Sequence, residues 1–152
     1  VTRVLAIDPG SVSAAFAVLD TATGAARVDD VPVANKMVDA VGWAAAVREA
    51  RPDVAIVELV SARPEQGARS GFRFGQGVGL LRGVVSALGI PLHEVSANKW
   101  KRASGLDSDK ERARAMAIRL FPAVSGLGRK KDHGRAEALL LARWFAEHGV
   151  QP

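Results

Sequence analysis

The sequence predicts an α/β fold, a five-stranded mixed sheet flanked by helices. Three observations carry that expectation. RVLAID and DVAIVE are short, nearly continuous apolar runs, the pattern of strands covered on both faces. Helical spacing with start and stop signals separates and follows them. The order strand, strand, strand, helix, strand, helix, strand, helices then demands a crossover between the first and fourth strands, which allows them to lie parallel and adjacent.

The elements follow in order. RVLAID is the first strand and VSAAFAVLD the second, joined by a Pro-Gly-Ser turn. TATGAA is a hairpin turn, and ARVDDVPVA returns as a third, edge strand, since Pro32 is tolerated only at an edge or a strand end. From Asn35 to Ala50, Met37, Val38, Val41, Ala45 and Val47 approximate helical spacing, and Arg51-Pro52 stops that helix. DVAIVE is the fourth strand, and SARPEQGARSG is a polar loop without periodicity. A Gly-rich helix then runs from Gly71 to Leu88, each Gly costing roughly 1 kcal/mol against Ala. Close packing on the sheet or on a partner subunit offsets such a cost. PLHEVS is the fifth strand, and SANKWKRASG is a short helix ending at a Gly. Ser108-Asp109-Lys110-Glu111 reads as a capping box, opening a helix that Phe121-Pro122 ends. The last helix lies in RKKDHGRAEALLLARWF and begins near His133. Trp43, Trp100 and Trp144 fall on helical patterns and read as core; His93 and His148 receive no role.

Composition narrows the function. The 152 residues fit a single domain spanning 1–152. Cys is absent, which excludes disulfides and thiolate metal sites and agrees with a reducing compartment. No apolar run reaches membrane-spanning length, so the expectation is a cytoplasmic protein. The net charge is +5. Eleven cations between Lys99 and Arg135 face only Asp107, Asp109, Glu111 and Asp132. Such clustering suits a phosphate backbone.

Two apolar strands, VLAID and VAIVE, each finish in a carboxylate, Asp8 and Glu58. A single acid there reads as a turn residue. Two at one sheet edge repel by about 4 kcal/mol at 4 Å and an effective dielectric of 20, unless one is protonated or a cation lies between them. Oxygen ligands of this kind suit Mg²⁺ or Mn²⁺. A third set, Asp132-His133-Gly134-Arg135-Ala136-Glu137, puts His133 and Glu137 on one helix face with Asp132 at its entrance. Read alone, that set is an N-cap with a surface Glu. Carboxylates from separate elements are also what a two-metal nuclease requires.

IDPGS, the acid ending the fourth strand, FGQGVGLLRG and KKDHGRAEALLLA, in this order, resemble the RuvC-type Holliday-junction resolvases, above all the short bacteriophage-encoded forms. The resemblance covers nearly the whole chain. It implies a ribonuclease H-like fold, a homodimer in a bacterial or phage-infected cytoplasm, and no small-molecule cofactor. It also implies two Mg²⁺ (or Mn²⁺) ions per active site and paired nicks across four-way or branched DNA that leave 5′-phosphates. By position, Asp8, Glu58 and Glu137 match metal-binding acids. The family's fourth ligand, an Asp or sometimes a His, stands three residues before the last acid, where this chain has Gly134. Asp132 is the favoured substitute as a carboxylate; His133 is the other, as ligand or proton carrier. Lys101 and Lys110 align with DNA-facing positions. Lys99, Arg102, Arg69, Arg73, Lys130 and Lys131 join them as DNA-binding candidates, with Phe72 placed to stack on an unpaired base.

Other readings stay open. A junction-binding architectural protein without cleavage fits the Gly134 departure, and another ribonuclease H-like nuclease, acting on hybrids or debranching DNA, fits the same acids. An actin-like ATPase shares the opening strand pair, but it needs two such domains.

Overall fold

The computed structural model describes residues 2–10 and 13–149, so Ser11 and Val12 of the predicted turn and second strand lie outside the described residues. Strands β1 (Arg3–Asp8), β2 (Ala15–Asp20), β3 (Ala26–Asp30), β6 (Val54–Leu59) and β7 (Leu92–Ser96) form one sheet in the order β3-β2-β1-β6-β7. The first three are antiparallel neighbours; β6 runs parallel to β1, and β7 parallel to β6. The mixed five-stranded sheet expected from the sequence is therefore present.

Helices α1 (Ala40–Ala50) and α2 (Ala68–Ala87) cover one face. Helices α3 (Ala97–Ala103), α4 (Lys110–Leu120) and α5 (His133–His148) cover the other. Side chains alternate between faces along a strand. Leu5, Ile7, Phe16, Val18 and Val57 accordingly pack with Trp43, Val47, Leu81 and Val85 of α1 and α2. Val4, Ala6, Ala17, Leu19 and Ile56 pack with Trp100, Leu139, Leu141 and Phe145. The Trp43 indole N–H donates to the Leu81 carbonyl at 3.1 Å, joining α1 to α2. Both parallel connections and the two buried faces explain why β1 and β6 read as unbroken apolar runs.

Four local expectations need correction. The third strand stops at Asp30, before Pro32. The helix expected from Asn35 starts only at Ala40, because Val33–Ala34 (β4) and Met37–Val38 (β5) pair as a separate hairpin. Its two turn residues, Asn35 and Lys36, take φ of 52° and 61°, as a tight primed turn requires. Hairpin pairing and burial of Met37 and Val38 against α2 outweighed a weak helical period. The cap of α4 is also displaced by one residue. Asp109 rather than Ser108 accepts the Glu111 and Arg112 amides, at 3.0 and 3.2 Å, and Glu111 pairs forward with Arg114. The Gly-rich helix starts at Ala68, three residues earlier than expected.

Candidate active site

Asp8, Glu58 and Glu137 come from three elements and meet because of register. Ile7 pairs with Val57 across the parallel β1–β6 ladder, so the next step sets Asp8 beside Glu58 at the carboxyl ends of both strands. Both share a face with Val4, Ala6 and Ile56, the face that α5 covers. α5 lies between the sheet and α4, which buries it on nearly every side from Ala136 to Ala142. Glu137, in its second turn, is consequently only 2% exposed, and Asp8 only 8%. Together with Glu58, His133, Gly134 and Lys110 they line a cleft of about 650 Å³.

Gly134 is the residue that lets the helix come this close. A Cβ there would lie 3.3 Å from Asp8 Oδ2 and 3.5 Å from the Ala15 Cβ. Position 134 is thus a point of tight approach between α5 and Asp8.

The three acids differ in their counter-charges. Glu137 Oε1 accepts from Lys101 Nζ at 2.8 Å and from Lys110 Nζ at 2.9 Å, and its Oε2 accepts from Lys110 at 3.0 Å. Burial by itself raises the Glu137 pKa, but the two ammonium groups outweigh it and hold the carboxyl below its usual range. For Lys101 burial works against the charge, and the hydrogen bond and charge of Glu137, with Glu58 and Asp8 behind it, prevail to raise its pKa. Glu58 Oε2 accepts from the Trp100 indole N–H at 2.8 Å, and Trp100 is fully buried. Among the described residues, none donates a hydrogen bond to Asp8 in this way. Burial first, and then the negative charges of Glu137 and Glu58, push its pKa up from 3.8 to about 8.

Not every expected residue joins the cleft. Asp132, the favoured fourth ligand, is not among the residues that line the cleft. Its buried carboxylate turns to Arg129, whose backbone N–H and Nη2 both donate at 2.8 Å, with Arg135 Nη1 at 3.8 Å. The Arg129 hydrogen bonds keep its pKa below the usual range. Asp132 sits in a short 3-10 turn, Lys130–Asp132, that points it away from Asp8 and toward the loop. His133, the first residue of α5, lines the cleft, and its Nδ1 is buried with no hydrogen-bond partner among the described residues.

Among the basic candidates, Lys101 is turned inward. Its side chain is only 12% exposed and is committed to Glu137 rather than presented to solvent. Lys110 divides itself between Glu137 and the cleft mouth, and Lys131 lines that mouth. Lys99, Arg102, Arg69, Arg73 and Lys130 are exposed, as is Phe72 at 70%. Trp100, which its sequence pattern marks as core, is fully buried and also donates its indole N–H to Glu58. The one available signal was its place beside Lys101 in a helix that follows the fifth strand directly.

Among the described residues, no three His, Asp or Glu side chains form a ready cage for a metal ion. The donor chemistry itself fits a hard divalent cation. Asp8 is a buried carboxylate beside two others and without a cation of its own, and His133 offers an unsatisfied ring nitrogen.

No family model matches the chain. Solved structures do. The chain is similar to RuvC of Thermus thermophilus in complex with a Holliday-junction substrate, with a TM-score of 0.69, 18% identity, and coverage of 97% of this chain and 96% of that one. It is similar to the yeast mitochondrial Holliday junction resolvase Ydc2, with a TM-score of 0.51 and 13% identity over 95% of this chain and 79% of that one. In sequence it is 35% identical over 102 residues to the chloroplastic Holliday junction resolvase MOC1 of Chlamydomonas reinhardtii, a match covering 63% of this chain. That match spans only 12% of the algal protein's length. The chain has the RuvC, ribonuclease H-like fold, as its resemblance to the RuvC-type resolvases implied.

Proposed function

We propose that this protein is a metal-dependent, structure-specific endodeoxyribonuclease that resolves four-way and branched DNA by paired symmetric nicks leaving 5′-phosphates. The observation that carries the reading is Asp8: a carboxylate buried at the tip of a core strand, lacking a cation, and facing Glu58 and Glu137 in one cleft. Such an arrangement costs stability unless an acid is protonated or a divalent ion occupies the cleft. The RuvC fold and the three relatives, each named as a RuvC or a Holliday junction resolvase, support the same substrate.

Asp8, Glu58, Glu137 and His133 are the residues that hold Mg²⁺ or Mn²⁺ in this reading. When bound, such ions activate water and stabilise the leaving 3′-oxygen. The chain's own groups do the rest. Trp100 fixes the Glu58 carboxylate through a single non-titrating donor and leaves its other oxygen for the cleft. Lys101 and Lys110 keep Glu137 ionised in a dry setting, and half-exposed Lys110 also faces an incoming phosphate. Phe72, standing free of the core, stacks on a base at an opened crossover.

Paired cuts across a two-fold junction require two sites related by a two-fold axis. The glycines of α2 supply a surface for that contact: a Cβ at Gly75, Gly79 or Gly83 would meet nothing within 4 Å. These glycines do not serve packing inside the protomer, which leaves close approach of a second copy as their use.

One observation favours a second reading, a junction-binding protein without cleavage: the two ammonium groups already neutralise Glu137. A synthetic four-way junction incubated with and without Mg²⁺, beside linear duplex and an RNA–DNA hybrid, separates the possibilities. Symmetric nicking of the junction alone, only with metal, is the expected result. Tight junction binding with no nicking under any divalent ion favours the second reading, and cleavage confined to the hybrid removes both.

A further inference from the structure

A second groove, of about 710 Å³, opens beside the catalytic cleft. Gly10, Ser13 and Phe74 line both, so the two are continuous. Their chemistry differs. The catalytic cleft is walled partly by acids, Asp8, Asp30, Glu58, Glu65 and Glu137. The second groove has none among its lining residues; its charged members are Lys36, Arg69 and Arg73.

We infer that this groove carries the sugar–phosphate backbone of the DNA strand as it leaves the catalytic cleft, with Lys36 as a phosphate ligand alongside Arg69 and Arg73. The inference rests on the nuclease reading above and extends it to a surface that the basic stretch at 99–135 does not include.

Three features carry it. All three cations are exposed, and none makes a salt bridge or side-chain hydrogen bond among the described residues. Most other arginines are engaged: Arg129 and Arg135 hold acids at the start of α5, and Arg112, Arg114 and Arg143 pair along their own helices or caps. Cations left unpaired around one concavity form a focused positive field. Apart from Ser13 and Ser70 the rest of the lining carries no polar side chain, Val33, Met37, Val38, Val78 and Leu81 among it, which suits deoxyribose between phosphates.

The placement of Lys36 is itself built. It occupies the second position of the Asn35-Lys36 turn at φ 61°, a conformation that a Lys side chain rarely adopts. The hairpin is seated on α2 at Gly77, where a Cβ would lie 3.6 Å from Val38 Cγ2 and 3.9 Å from Met37 Sδ. The turn therefore holds its ammonium over the groove on a rigid support.

The test uses a labelled four-way junction with excess chelator, and measures Kd over a salt series for the whole chain and for Lys36→Asn, Lys36→Arg and the Lys36→Asn/Arg69→Ala/Arg73→Ala combination. Asn tolerates the left-handed turn, so the first variant removes charge without unfolding the hairpin. Expected are a weaker Kd for Lys36→Asn, recovery in Lys36→Arg, and a loss of about tenfold or more in the triple variant. The slope of log Kd against log salt should fall by roughly 0.9 for each phosphate contact removed. If the unaltered protein binds the junction and the triple variant matches it in Kd and slope, the groove inference fails while the nuclease reading stands. If the unaltered protein neither binds nor nicks the junction, the nuclease reading falls and takes this inference with it.

Discussion

Asp8 and Asp132 flank the start of the same helix, both nearly inaccessible to solvent, and they stand in opposite electrostatic states. Asp132 is held by the Arg129 guanidinium and backbone N–H, with Arg135 near, and its pKa is lowered. Asp8 has comparable burial, two carboxylate neighbours and no fixed cation, and its pKa rises to about 8. Burial alone does not separate a structural acid from a functional one; the presence of a permanent counter-charge does. An acid whose charge is matched inside the chain closes a loop. One whose charge is left unmatched is waiting for a partner that the chain does not supply.

The sharpest way to break this comparison is to remove each carboxylate in turn. Asp8→Asn should lower Mg²⁺-dependent junction nicking by about 10²–10³-fold or more, the scale seen when one preorganised electrostatic group is lost. Junction binding should persist in a gel-shift assay. Wild-type nicking in this variant would remove Asp8 from the metal site. Asp132→Ala should do the reverse, lowering the melting temperature through a loss of about 1–3 kcal/mol of buried hydrogen bonding. Nicking per folded molecule should stay near the starting level. A variant of normal stability with no nicking would return Asp132 to the site.

Next in size is the pH dependence of the metal-free protein. Between the unfolded Asp pKa of 3.8 and the folded value of about 8, the native state binds the extra proton on Asp8. The Asp8 contribution to stability is therefore fully present below 3.8 and is lost as pH rises through about 8. Chemical denaturation in chelator at a series of pH values should show this decline, and Asp8→Asn should flatten it. An unchanged slope in the variant would mean that Asp8 is not the titrating group.

Trp100→Phe keeps the buried ring and deletes the N–H on Glu58. Loss of an outer hydrogen bond to a metal ligand costs about 10–100-fold in metal affinity or activity. Mn²⁺ binding followed by electron paramagnetic resonance should weaken on the low side of that range, and the Trp100 indole signal should shift in Glu58→Gln. The smallest expected effect is Gly134→Ala, whose Cβ presses on Asp8 Oδ2. A few-fold drop in nicking, with binding intact, distinguishes this local displacement from a change in the DNA surface.

Much of the arrangement was legible from local pattern. RVLAID and DVAIVE announce parallel buried strands, and their terminal acids become neighbours once those strands pair. The identity of the fourth site residue was not legible. Asp132 and His133 are adjacent in sequence, and ligand preference favoured the carboxylate. In the structure Asp132, in the short 3-10 turn Lys130–Asp132, pairs with Arg129, and His133 lines the cleft. Trp100 escaped for a similar reason: a buried indole looks the same in sequence whether its N–H meets a backbone carbonyl or a functional carboxylate. The Asn35–Val38 hairpin escaped because four residues are too few for a period of two to be told from a weak helix.

By itself, the sequence determined which strands are buried on both faces, where the helices stop, and that Asp8 and Glu58 end apolar strands, because these follow from the side-chain periodicity of a strand or helix and from Gly and Pro chemistry. Tertiary structure alone decided the partners of the acids: Lys101 and Lys110 on Glu137, the Trp100 indole N–H on Glu58, Arg129 on Asp132, and, among the described residues, no salt bridge to Asp8. The reason is physical. Whether a buried carboxylate is neutralised depends on distances of about 3 Å between residues remote in the chain, and no local pattern encodes them.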